Sequence, residues 1–126
     1  MIIRSLFLAL SLWLAVAPAA AHAPGRGPNG GQMQDLAGGH IELLAQGNEI
    51  VVYLFDAEDR PIPAEQAKAT ATVLAGGRQE VVSLQAEEGH VLRGRGDFTA
   101  VPGMKVVLAL TLPGQRQQLG RYAPMD

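Results

Sequence analysis

Three histidines, at positions 22, 40 and 90, are the only imidazoles in a chain of 126 residues that has no cysteine. Imidazole is the commonest protein ligand for late transition metals, so these residues are the first place to look for chemistry. Without a thiolate, soft donation has to come from thioether sulfur, which Met33 and Met104 offer to cuprous ion. Spacings of 18 and 50 residues between the histidines make no local ligand motif, so the fold must gather them. Copper heads the list of ions, with another divalent transition metal behind it, because a square set of nitrogen donors suits cupric ion.

Other chemistries lack their residues. Nucleophilic catalysis needs an exposed turn serine or cysteine with a base in reach. After residue 21 the single serine is Ser83, flanked by Val82 and Leu84 in an alternating stretch, and the alternation makes it a solvent-facing strand residue. Glu87-Glu88 precedes Gly89 in a loop and reads as a solvated turn. Gly-Pro-Asn-Gly-Gly at 27–31 is glycine-rich but opens no helix, so it cannot align N–H groups as a phosphate cradle and reads as a turn. Arg95-Gly96-Asp97 spells an adhesion tripeptide and is read as a turn as well. The chain is expected not to be an enzyme.

Residues 1–21 have the pattern of a helical export signal: Arg4, then an uncharged apolar core from Ser5 to Ala17, Pro18, and small residues. The core is short for a bilayer crossing, which needs about 20 apolar residues. Cleavage after Ala21 is favoured over cleavage after Ala23, which would place Pro24 at the scissile bond. His22 would then lead the mature chain, offering its α-amine and ring nitrogen to one ion. A mature, periplasmic chain without membrane insertion is expected. It carries nine Lys/Arg against twelve Asp/Glu, with dispersed cations and four aromatics, Tyr53, Phe55, Phe98 and Tyr122. Nucleic acid binding, which uses a basic face interleaved with aromatics, is excluded.

The elements that must position these residues follow from periodicity. His22–Gly39 is a Gly/Pro-rich arm that cannot be helical. Beyond it, apolar residues alternate with period two. Strands are expected at 40–45, 49–56, 70–75, 78–85, 90–93 and 105–112, with a last edge strand at 117–122. A Gly76-Gly77 turn closes the central hairpin, and Ala64–Ala69 tolerates at most two helical turns. The expected fold class is an all-β, antiparallel β-sandwich, immunoglobulin-like or similar, of six to seven strands over residues 40–123. His40 and His90 each follow glycine at a strand start, where a side chain can lie at one end of the sandwich.

Gly-Pro-Asn-Gly-Gly (27–31), His40-Ile41-Glu42-Leu43, the V-x-L-F-D run at 52–56 and the L-R-G-x-G run at 92–96, before a final apolar strand, form a combination. Over residues 27–112 it resembles the small periplasmic domain of some adaptor subunits of resistance-nodulation-division heavy-metal efflux pumps, and short stand-alone exported proteins. Members often carry His just before the G-P-N-G-G motif; here Arg26 stands there and His22 lies four residues earlier. The sequence shows no pattern for the helical hairpin or lipoyl-like parts of a full adaptor. The resemblance implies a binding or accessory module in heavy-metal or copper handling, with His22, His40 and His90 as candidate ligands and an envelope or efflux-adaptor protein as partner. The alternative is a metal-independent interaction module whose β-edges or G-P-N-G-G arm dock onto an envelope protein.

Overall fold

The computed structural model describes residues 25–126; the export segment, its cleavage site and His22 lie outside the described residues. The fold is all-β and antiparallel. Its strands are β1 (Gly25–Arg26), β2 (Gln32–Leu36), β3 (Gly39–Gln46), β4 (Glu49–Phe55) and β5 (Lys68–Ala75). They continue as β6 (Arg78–Ala86), β7 (Val91–Arg95), β8 (Lys105–Thr111) and β9 (Gln118–Tyr122). Seven of these, β3 to β9, match strands anticipated from alternation. No helix forms among the described residues, and Ala64–Ala67 makes only a turn, with Ala67 N–H on Ala64 O at 3.0 Å.

The nine strands hydrogen-bond in one order, β1-β2-β3-β4-β7-β6-β5-β8-β9, rather than forming a clear sandwich of six or seven. The corner is β6. Its residues 78–84 pair with β5, while Gln85 and Ala86 pair with Arg93 and Leu92 of β7. A strand that changes partners along its length bends the sheet around its core. The result is a curled half-barrel whose inward rows are Ile41, Leu43 and Ala45 on β3, Ile50, Val52 and Leu54 on β4, and Val106, Leu108 and Leu110 on β8. Each of the fully buried Leu and Ile side chains contributes about 1.5–3 kcal/mol of transfer free energy.

The stretch read as an arm contains two strands, because the period-two signal there is carried by glutamines. On β2 the inward positions are Gln32 and Gln34, the cross-strand partners of Leu43 and Ile41. They bring amides, not methyls, to the seam where β2 meets β9. The Gln34 side chain donates to Arg121 O, Gln32 Oε1 accepts Ala123 N–H at 2.6 Å, and Gln118 Oε1 accepts Ala37 N–H at 3.2 Å. Beneath them the buried Tyr122 hydroxyl donates to Ile41 O at 2.9 Å, and burial pushes that phenol far above its ordinary range. Side chains thus satisfy backbone groups that a fully closed barrel would pair by strand ladders.

Candidate functional site

On β3 the odd positions Ile41, Leu43 and Ala45 face the core, which turns His40 and Glu42 to the outer face. His40 lies across from Asp35 on β2 and from Phe55 on β4. Its second carboxylate comes from the turn that follows β4. There Asp56 Oδ1 accepts the N–H groups of Glu58 and Arg60, both at 2.9 Å, and Asp56 Oδ2 accepts Arg60 Nε at 2.9 Å. This side-chain-capped turn holds Asp59 in the left-handed region, φ 62°, which aspartate tolerates better than most residues.

So positioned, Asp59 Oδ1 lies 2.5 Å from His40 Nδ1, and Asp35 Oδ1 lies 3.4 Å from His40 Nε2. The Asp59 hydrogen bond is the main cause that raises the His40 pKa above its ordinary value; partial desolvation opposes it, and the charges of Asp59, Asp35 and Asp56 add to it. A carboxylate on one ring nitrogen fixes the tautomer and aims the other, as in metal-bound histidines. Adjacent donors with bonds near 2 Å stand about 2.8 Å apart in a square set and about 3.3 Å apart in a tetrahedral one; the His40–Asp35 separation is 3.4 Å. Among the described residues no group of three or more His, Asp or Glu side chains is arranged to hold a metal.

His90 sits at the same end of the same outer face, on the far side of β4. Its ring centroid is 5.0 Å from that of Phe55 and 5.8 Å from that of Tyr53. Phe55, the partner of His40, therefore stands between the two histidines. Met33 is half-buried on the outer face of β2 opposite Glu42. Met104 is 1% exposed in the core, where it packs as a hydrophobe away from any solvated ion. Ser83 is exposed in mid-β6, as alternation requires. The Arg95-Gly96-Asp97 turn is pinned by Gly96 N–H on Asn48 O at 3.0 Å and Asp97 N–H on the Glu80 carboxylate at 2.9 and 3.0 Å.

The G-P-N-G-G loop turns out to be an anion cradle whose anion is built in. Glu42, the one fully buried charged residue among those described, places its carboxylate inside the loop. Its oxygens accept Gly31 N–H at 2.7 Å, Asn29 N–H at 3.0 Å and the Asn29 side-chain amide at 2.9 Å. A Cβ on Gly31 would stand 2.7 Å from Leu43 O, and one on Gly27 would collide with the Glu42 carboxylate. The motif is glycine-rich because it wraps a side chain, and its donors are already taken. The signal was present in the sequence as a glutamate 11 residues beyond the last motif glycine, but nothing local connects the two.

A cation-bearing network completes this face. Glu49 Oε1 meets Arg93 Nη1 at 3.1 Å and Arg95 Nε at 3.2 Å, and Arg93 Nε meets Glu87 at 2.9 Å. The Arg93 hydrogen bond is the main reason the Glu49 carboxyl lies below its ordinary range. No protein-family model, no curated protein and no solved structure matches this chain.

Proposed function

We propose that the mature chain is an exported, non-catalytic accessory protein of copper or heavy-metal handling in the periplasm, which holds one ion between its N-terminal His22 and His40. The observation that carries this reading is the His40 geometry, with Nδ1 held by Asp59 and Nε2 facing Asp35 at 3.4 Å. The strand register supports it. β1 runs antiparallel to β2 with Gly25 opposite Met33, two residues from Asp35. Three residues span at most about 10 Å, which is the tether from Gly25 to His22. Asp35 lies only about 7 Å along the strand from Met33. The α-amine and ring of His22 would supply the donors that His40 and Asp35 lack. His90, screened by Phe55, stands outside this set.

Titration of the mature chain with cupric ion by calorimetry, with the N-terminus verified by mass spectrometry, tests the reading. One equivalent should bind with sub-micromolar affinity, weakening at least about tenfold, or 1.4 kcal/mol, in His22→Ala and in His40→Ala but not in His90→Ala. Absence of such binding, or indifference to His22, overturns it.

The metal-independent interaction reading has support of its own from the neutral, exposed sheet face around Val81 and Leu119. Its form changes, however. The arm's donors are committed to Glu42, and Gln32 and Gln34 cover the β9 edge, so docking would use a sheet face rather than an edge.

A further inference from the structure

We propose that the outer face of β5, β6, β8 and β9 is a docking surface for an acidic, aliphatic segment of a partner protein. With Ala69, Ala71 and Val73 of β5 and Val106, Leu108 and Leu110 of β8 turned inward, the alternate residues form the outer face. Thr72 is flanked there by Val81 and Val107, and Ala109 by Thr70 and Leu119. Val81 and Leu119 are each 63% exposed and Leu74 is 42% exposed. Val81 and Leu119 stand at the two sides of this four-strand face, with half-buried Thr70, Thr72, Val107 and Ala109 between them.

Charge identifies the occupant. The four strands carry one carboxylate, Glu80, which alternation turns to the other side and which is engaged by Asp97 N–H. The cations on the outer side are Lys68, Lys105 and Arg121; Lys105 meets Asp126 at 3.0 Å, and among the described residues Lys68 and Arg121 have no carboxylate within salt-bridge distance. On the opposite half Arg60, Arg93 and Arg95 are paired with acids, while Arg26 reaches the Gly30 carbonyl at 3.4 Å. At the β9 side of the basic-rimmed face, a groove of about 350 Å³ is lined by Leu74, Val107, Lys105, Arg121 and Gln34. It combines an aliphatic floor with cations at its border, the complement of a chain in which Asp or Glu alternates with Leu, Ile or Val.

Other occupants fit less well. A second copy presenting the same face would oppose cation to cation. A lipid surface would meet Leu119 and Leu74 but no exposed aromatic residue, since Tyr122, the one aromatic of these strands, is buried. The surface lies on other strands than His40 and is independent of metal binding.

Panning a phage-displayed random peptide library against the full mature chain, then measuring the enriched peptides by fluorescence anisotropy, tests the proposal. Enriched peptides should alternate acidic and aliphatic residues and bind more weakly as salt rises. Leu119→Asp and Arg121→Glu, both at exposed positions and checked by circular dichroism, should each lower affinity at least about tenfold. Peptides with their acids replaced by Lys should recover binding to Arg121→Glu. Peptides without acidic bias, or with equal affinity for both variants, overturn the proposal. So does flotation of the protein with phosphatidylglycerol-containing vesicles, or sedimentation as a dimer, if either is abolished by Leu119→Asp.

Discussion

His40 and Glu42 sit two positions apart on one strand, yet they meet their charges in opposite ways. His40 is half-exposed and gains a proton-stabilising partner in Asp59, with Asp35 beside its other nitrogen. Its native pKa is raised above the unfolded value near 6.5. The stabilisation it contributes is therefore complete below that value and is lost as pH rises through the native pKa. Urea midpoints should fall between about pH 5.5 and pH 8, and His40→Asn should remove the part of that fall which the histidine causes. An unchanged pH profile in the variant contradicts this account. Glu42 instead is enclosed by donors, and charge-assisted bonds to backbone N–H are among the stronger ones. Glu42→Gln presents an NH₂ group to donors that need an acceptor and should cost about 2–4 kcal/mol in urea denaturation; a loss below about 0.5 kcal/mol would mean that the loop closes without its anion. At this scale the sequence identified imidazoles but not their partners. Asp59 reaches His40 only through a left-handed turn set by Asp56, and Glu42 reaches its cradle only through the β2–β3 register.

Elements with apolar inward rows were legible and elements with polar ones were not. Strands β3 to β8 announce themselves through Ile, Leu, Val and Ala at alternate positions, and β9 through Tyr122. β2 escapes because its inward side chains are Gln32 and Gln34, chosen for a seam instead of a core. Glutamines at that seam occupy backbone groups that an exposed edge would otherwise offer to another chain. The double variant Gln32→Ala/Gln34→Ala should speed amide exchange at Ala123 and promote concentration-dependent association, read by hydrogen exchange and sedimentation. Wild-type exchange and a monomeric profile in the double variant would show that the seam holds without them. Tyr122→Phe, which leaves Ile41 O without its donor, should cost about 1–2 kcal/mol in thermal or urea unfolding. A smaller loss would locate the closure in packing alone.

Across the whole molecule, charge and apolarity divide between two sides. One side carries paired cations, the Asp35–His40–Asp59 cluster and the buried Glu42; the other is neutral, with Lys68 and Arg121 at its border. Composition alone gives only a small net negative charge, and the division appears once strands are placed in order: acids of β2 and the 56–59 turn meet His40, Glu49 at the far end of β4 meets Arg93 and Arg95, and β5, β8 and β9 contribute none. The all-β, antiparallel class was legible, and the sandwich expected with it was not found, because alternation is local whereas the shape of the curled sheet depends on which strand β6 pairs with at each end. The central claim concerns the first side, that His22 and His40 share one ion. Electron paramagnetic resonance of the mature chain with one equivalent of cupric ion tests it most directly. The account predicts nitrogen coupling from the His22 α-amine, its ring and the His40 ring, with the His40 contribution missing in His40→Ala. A spectrum identical in wild type and His40→Ala would contradict it.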